Sequence, residues 1–230
     1  AYDYWDETDT VLLFQVRKWI KADGGKYFTQ HKFDGMEFME KRFDARLVLW
    51  HLSALRKAIE SKDFVFLVEG EKDVLTLEGF GVTATTNPGG AGKWDVSYTE
   101  SLKGVDRVFM LPDNDDAGEN HVTLVAPQLL DAGIPVTVVR LPNLKHKGDV
   151  TDWIEAGNTF DQLLTLCSEA PDYEKPAGLV TEVSQKKEQT NFAPDEQDDQ
   201  SEEALPPGYE FTQPNYLKCL ELLGVGDYPD

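Results

Sequence analysis

The chain has 230 residues, of which 40% are hydrophobic, with two cysteines and a formal net charge of -20 at pH 7. This length suffices for one domain with a substantial core, and no apolar run approaches the roughly 20 residues of a membrane-spanning helix, so we expect a cytoplasmic protein without a membrane partner. Because Cys167 and Cys219 lie far apart and lack the spacing of zinc ligands, the sequence excludes a disulfide framework and predicts no zinc in this chain.

The N-terminal segment predicts a small antiparallel β unit closed by a helix, over residues 1–60. The β-rich stretches "VLLFQVRKWI" and "GKYFTQHKF" are separated by the turn signal "KADGG", and a second turn is expected at Asp34-Gly35. In "LVLWHLSALRKAIE", the apolar residues Leu49, Leu52 and Leu55 recur at helical spacing.

Residues 61–170 predict an α/β domain. The apolar runs "FVFLVE", "VTATT", "RVFMLP" and "IPVTVVRL" read as strands, and helical patterns alternate with them, including one from Ala117 to about Ala132. Such alternation is typical of a Rossmann-like parallel sheet of four strands, flanked by helices and joined by right-handed crossovers.

The last quarter of the chain differs in composition. From Pro171 onward there are 14 acidic and 4 basic residues, a net charge of -10. Residues 171–208 are too polar to offset their ordering entropy by burial and are predicted to be a disordered acidic linker. Residues 209–230 contain "NYLKCLELLG", a short helical segment or the start of a further domain.

Acidic residues follow three of the predicted parallel strands. Glu69 ends the first strand, the pair Asp113 and Asp115 follows the third, and the pair Asp149 and Asp152 follows the fourth. In an open parallel sheet the carboxyl ends of the strands meet at one edge, and Asp73 lies one helical turn beyond Glu69. One acidic loop is usually a solvated turn, but three at one edge indicate a metal site. Oxygen ligands of this kind suit Mg²⁺ or Mn²⁺, and two such ions would serve phosphoryl or nucleotidyl transfer.

Three segments, "LVEGEKD", "LPDNDDAG" and "KGDVTDW", resemble in order and placement the signature segments of the Toprim domain, which primases, topoisomerases and some nucleases share. The resemblance covers about residues 60–168. It implies that Glu69 is a general acid/base or metal-linked group, that Asp113 and Asp115 bind metal, and that Asp73 and Asp149 are further acids around the ions. Asp152 departs from the pattern because "DVTD" has an extra residue between its acids. Asp116 is expected to cap the following helix instead.

The loop "TTNPGGAGKW" resembles the same segment of phage and plasmid primase-helicases. Its glycines would let backbone N–H groups approach a phosphate, with added charge from a lysine. An ordinary glycine-rich connection is the alternative. The candidate phosphate-binding residues here are Asn87, Gly89, Gly90, Gly92 and Lys93.

A basic region contrasts with the acidic whole. Between positions 17 and 57 ten basic residues face five acids, and this segment resembles the small subdomain that precedes Toprim in primase cores, where a basic face would hold the template. A solvated surface of mixed charge is the alternative. The candidate nucleic-acid contacts are Arg17, Lys18, Arg42 and Arg46, together with Lys72 and Lys147 near the predicted metal site.

The favoured function is therefore a Mg²⁺-dependent DNA primase core that makes RNA primers from ribonucleoside triphosphates on single-stranded DNA, in a bacterial cell or phage-infected host. The resemblance implies a replicative helicase partner, as in a primase-helicase whose zinc-finger and helicase domains lie elsewhere. Two alternatives stay open: a Toprim nuclease that uses the same acids, and a non-catalytic nucleic-acid-binding or helicase-adaptor module.

Overall fold

The structure is a computed structural model that describes residues 1–33, 35–39 and 45–176. Its elements form two separate sheets. In chain order they are β1 (Tyr2–Trp5), β2 (Leu12–Ile20), β3 (Lys26–Phe33), β4 (Phe38–Met39), α1 (Leu52–Ser61), β5 (Phe64–Leu67), α2 (Glu71–Glu78), β6 (Ala84–Thr85), α3 (Val96–Ser101), β7 (Arg107–Met110), α4 (Asp116–Asp131), β8 (Val136–Val138), α5 (Val150–Glu155) and α6 (Phe160–Glu169).

The second sheet is parallel throughout and has the order β6-β5-β7-β8. All four residues of its inner strand β5 are buried, as a continuous apolar run requires when helices cover both faces of a sheet. The predicted α/β architecture is confirmed: a four-stranded parallel sheet flanked by helices, preceded by an antiparallel sheet with the order β1-β2-β3-β4.

The start of α1 differs from the prediction. The apolar spacing predicted a helix that includes Leu49, but α1 begins at Leu52. Trp50 instead pairs with the end of β6, donating its N–H to the Thr86 carbonyl (3.0 Å) and accepting a bond from the Thr85 hydroxyl (2.7 Å). His51 then adopts a left-handed conformation, with φ of 55°, before the helix begins. Sheet pairing thus overrides the local helical spacing.

One face of the antiparallel sheet packs against the α/β unit. Side chains alternate along a strand, so Tyr4, Phe14 and Val16 share the buried face, with the Tyr4 and Phe14 rings stacked at 4.4 Å. Tyr4 also donates its hydroxyl to Glu71 Oε1 at 2.8 Å, where α2 begins. This bond joins the N-terminal sheet to the helix that follows β5.

Removing that hydroxyl should weaken the junction. We expect Tyr4→Phe to lower the free energy of unfolding by about 1–3 kcal/mol, because the buried Glu71 carboxyl loses a donor. Urea unfolding measures the change. Tyr2→Phe on the same strand is the control and should stay within about 0.5 kcal/mol; equal losses in both variants would contradict the role of the Tyr4–Glu71 bond.

The C-terminal predictions lie mostly outside the described residues. Of the predicted linker over residues 171–208 only residues 171–176 are described, and residues 209–230 are not. Tyr173 donates its N–H to the Val136 carbonyl at 2.8 Å, and Asp172 forms a bridge with Thr137. Chain pairing therefore continues along β8 past residue 170. Among the described helices, none combines the length and apolar character needed to cross a bilayer.

Candidate active site

Carboxylates from three strand ends lie beside one another at one edge of the parallel sheet. Glu69 follows β5, Asp113 follows β7, and Asp149 follows β8 at the start of α5. Glu69 Oε1 accepts the backbone N–H of Asp113 at 3.0 Å, which ties the first two strand ends together directly. Asp149 and Asp73 are close enough to raise the pKa of Asp113.

Asp113 has the most perturbed environment of these acids. Burial raises the pKa of its carboxyl to about 10, with further contributions from Glu69, Asp73, Asp149 and Asp115. Within the described part of the chain its carboxylate makes no hydrogen bond. The pKa of Glu69 is raised to about 7 by burial and by Asp115, against the effect of the Asp113 N–H. These carboxylates repel one another when they are ionised, so a bound cation is needed for all of them to be ionised together.

Two of the predicted metal ligands also cap helices. Asp115 Oδ1 accepts the N–H of Gly118 at 2.9 Å, and Asp149 Oδ1 accepts the N–H of Asp152 at 2.6 Å. The prediction that Asp116 caps α4 is wrong: Asp115 has the extended backbone of an N-cap, and Asp116 is the first helical residue and is exposed. Each capping bond fixes one carboxylate oxygen of its aspartate and orients the other.

Asp73 is held by a residue that the sequence reasoning missed. Thr151 donates to Asp73 Oδ1 through its hydroxyl at 2.7 Å and its N–H at 3.3 Å. Burial and then Asp149 raise the pKa of Asp73 to about 8. The sequence signal for this role was the extra residue in "DVTD". With Thr151 inserted, the second acid, Asp152, lies one position further along α5. There Asp152 lies 3.4 Å from Lys145 Nζ.

The acids do not form a ready-made cage. Among the residues that the structure describes, no three or more His, Cys, Asp or Glu side chains are grouped tightly enough to hold a metal ion by themselves. The donor set nonetheless fits Mg²⁺, which binds through one or two carboxylates and keeps waters and substrate phosphates as its other ligands.

Lys72 interacts electrostatically with the acids at this edge. Burial opposes its charge, but Asp149, Glu155, Asp73 and Asp152 together raise the pKa of Lys72. The lysine therefore stays protonated beside the acids and balances part of their charge.

The glycine-rich loop is folded by its own backbone and by two side chains. Gly89, Gly90 and Gly92 have φ angles of 94°, 68° and 75°, which side-chain-bearing residues rarely adopt. The Asn87 amide donates to the Gly90 carbonyl at 2.8 Å, and the Gly92 N–H donates to His121 Nδ1 at 3.2 Å. His121, on α4, was not predicted, because no sequence signal connects it with a loop 29 residues away.

The basic candidates do not form one face. Lys18 lies on the same face of the antiparallel sheet as Val16. Gln30, which is paired with Val16 on β3, lies on that face too. Its Nε2 would be 3.5 Å from a Cβ added to Gly89, so this face meets the glycine-rich loop. Arg17 points to the opposite side and stacks its guanidinium over the Phe38 ring at 4.7 Å. Strand alternation therefore separates neighbours in sequence that we had grouped together.

The other candidates are dispersed. Arg46 is exposed and paired with Glu7 at 2.7 Å. Lys147 is exposed and donates its N–H to the Asn114 carbonyl at 3.0 Å, behind the Asp113 loop. Arg42 lies outside the described residues.

Comparison with known families identifies the α/β unit. Residues 64–141 match the family described as the Toprim domain, and this range contains Glu69, Asp113 and Asp115. The chain therefore contains a Toprim domain.

The relatives of this chain indicate which type of Toprim domain it contains. The chain is 35% identical over 140 residues to a DNA primase of Chlamydia muridarum (60% of this chain, 22% of the relative) and 33% identical over 94 residues to a DNA primase of Aquifex aeolicus (41% and 19%). A crystal structure of the Aquifex aeolicus primase, with its zinc-binding and RNA polymerase domains, aligns with a TM-score of 0.49 at 25% identity, covering 64% of this chain and 37% of that one. The Toprim domain is of the primase type, and the chain spans about a fifth of the length of these curated relatives.

Proposed function

We propose that this chain is the catalytic core of a DNA primase, which joins ribonucleotides on a single-stranded DNA template in a reaction that depends on Mg²⁺ or Mn²⁺. The observation that carries the proposal is the set of partly buried carboxylates at three strand ends, including Asp113, whose pKa is raised to about 10 by burial and by its acidic neighbours. Such a set has little structural value by itself, because it destabilises the fold unless cations bind.

Asp113, Asp115 and Asp149 are the residues that would hold the ions. The second oxygens of Asp115 and Asp149 are oriented by their capping bonds, and Asp73 and Asp152 stand behind them on α2 and α5. When bound, two such ions supply positive charge at the attacking hydroxyl and at the leaving pyrophosphate.

Glu69 is suited to move a proton. Its pKa of about 7 matches the working pH of a general base, and the Asp113 N–H holds Oε1 in place. Glu69 would accept the proton of the primer 3′-hydroxyl as that oxygen attacks the α-phosphorus of the incoming nucleotide. Pyrophosphate then leaves, and the new phosphodiester bond extends the primer.

Positive and N–H groups around the acids would bind the triphosphate and template. Lys72 and Lys93 contribute charge, and the N–H groups of Gly89 and Ala91 make no hydrogen bond to any described residue, which leaves them for phosphate oxygens. Lys18, on the sheet face that meets the glycine-rich loop, is the best-placed basic residue for the template strand. A replicative helicase partner and a primase-helicase context belong to this proposal.

A product assay tests the function. The chain is incubated with single-stranded DNA, ribonucleoside triphosphates and Mg²⁺ or Mn²⁺, and we expect labelled RNA oligomers that disappear when EDTA removes the ions. Shortened DNA without nucleotide incorporation would instead identify a nuclease. Absence of both products, together with no calorimetric signal for either ion, would identify a non-catalytic module and refute the proposal.

A further inference from the structure

Three buried polar atoms that have no hydrogen-bond partner within the described part of the chain lie on residues around the glycine-rich loop. They are Thr86 Oγ1, Asn87 Oδ1 and His121 Nε2. His121 is only 3% exposed and Asn87 only 1%. Buried polar atoms left unpaired cost stability, so a fold that keeps several of them at one loop calls for an explanation in terms of function.

His121 fixes the loop through one nitrogen. Its Nδ1 accepts the Gly92 N–H at 3.2 Å, so the neutral ring carries its proton on Nε2. Burial lowers the pKa of His121 to about 4, which keeps this acceptor available at neutral pH. An aliphatic side chain would fill the same space without an unpaired atom but would not hold Gly92.

Helix α4 connects this contact with the acids. A Cβ on Gly118 would lie 2.4 Å from the Asp113 carbonyl and 2.8 Å from Glu69 Oε1, so the first turn of α4 touches the acidic edge directly. His121 follows three residues later on the same side of the helix. One helix therefore contacts the acids with its first turn and the loop with its second, and it sets the distance between them.

We propose that His121 is a positioning residue that holds the glycine-rich loop in the conformation that binds the triphosphate of the incoming nucleotide. His121 engages the Gly92 N–H after Ala91, and Asn87 holds the Gly90 carbonyl before it, which leaves the N–H groups of Gly89 and Ala91 for phosphate oxygens. This inference rests on the proposed primase function.

Substitution of His121 separates the hydrogen bond from the bulk of the ring. His121→Leu removes the acceptor, whereas His121→Asn places an amide oxygen close to the position of Nδ1. We expect His121→Leu to weaken ATP binding and to raise the KM for ATP about 5- to 10-fold, the size of one lost hydrogen bond, with kcat changed less than about 3-fold. His121→Asn should recover most of the affinity. Calorimetry with ATP and Mg²⁺ measures binding independently of primer synthesis.

Val122→Ala is the matched control, because Val122 is buried on the same helix and makes no hydrogen bond with the loop. It should lower stability without changing the affinity for ATP. Equal losses of affinity in His121→Leu and Val122→Ala, or no loss in His121→Leu, would overturn the inference while leaving the primase proposal intact. A wild-type chain that binds no nucleotide at all would instead refute the proposed function and this inference with it.

Discussion

Asp113→Asn is expected to reduce primer synthesis by a factor of at least about 100, the loss typical when one charged group of a preorganised catalytic site is removed. The asparagine keeps the shape of the side chain but cannot bind a cation through a charged oxygen. Primer extension at saturating Mg²⁺ measures the effect. Calorimetric titration of Mg²⁺ should show weakened binding in the same variant.

The same substitution should stabilise the protein when divalent ions are absent. The pKa of Asp113 rises from its ordinary 3.8 to about 10, so between these values the folded chain binds a proton that the unfolded chain has released. The stability contributed by this group is therefore complete below about pH 4 and declines as the pH rises across that window. At pH 8 in EDTA we expect Asp113→Asn to be more stable than the wild type by up to about 6 kcal/mol, since pH 8 lies about four units above the ordinary pKa of the carboxyl and each unit corresponds to about 1.4 kcal/mol.

Added Mg²⁺ should reduce this difference in stability. Binding to the folded state alone stabilises the wild type by about 1.4 kcal/mol at ten times the dissociation constant, and the variant should gain less. Asp116→Asn is the control, because Asp116 is an exposed acid in the first turn of α4. Primer synthesis by the Asp116→Asn variant, and its stabilisation by Mg²⁺, should stay close to the wild-type values. An active Asp113→Asn variant that responds fully to Mg²⁺ would exclude Asp113 from the metal site.

Much of the fold was predictable because its strands carry strong local signals. A run such as β5 is apolar at every position and is buried on both faces, and the helix predicted from Ala117 to about Ala132 closely matches the observed α4. The misses have a common cause. Strand β1 reads as acidic and aromatic but is stabilised by pairing with β2, and the late start of α1 follows from the pairing of Trp50 with Thr85 and Thr86. Both depend on contacts between segments distant in sequence.

At the candidate site, too, some features follow from local sequence and others from contacts between distant segments. The rule that parallel strands end at one edge predicts that Glu69, Asp113 and Asp149 lie near each other. The sequence could not show which oxygen each acid presents, because those orientations come from capping bonds and from Thr151. Nor could it assign Arg17 and Lys18 to opposite sheet faces until β2 was placed against β3. The spacing of residues in the sequence predicts which side chains lie near the site, whereas tertiary hydrogen bonds determine how those side chains are oriented there.

Gly118→Ala is expected to damage both folding and activity, although alanine normally favours a helix over glycine by about 1 kcal/mol. The new Cβ would lie 2.4 Å from the Asp113 carbonyl and 2.8 Å from Glu69 Oε1. Neither is the end of a freely moving chain, because Asp113 donates its N–H to Glu69 Oε1 in the same contact. The helix or the acidic loop must shift, which costs about 1–3 kcal/mol in a packed environment.

This shift would displace Glu69 and Asp113, which are proposed to take part in the reaction. A displacement of about 1 Å at a catalytic centre lowers the rate by roughly 100-fold, so primer synthesis should fall by about that factor even at temperatures where the variant is fully folded. Thermal unfolding and primer extension on the same preparation separate the two losses. Asn120→Ala, at an exposed position in the same helix, is the control and should change stability by less than about 0.5 kcal/mol. A Gly118→Ala variant with increased stability and normal synthesis would mean that α4 does not press against the acids, and the coupling of this helix to the site would have to be abandoned.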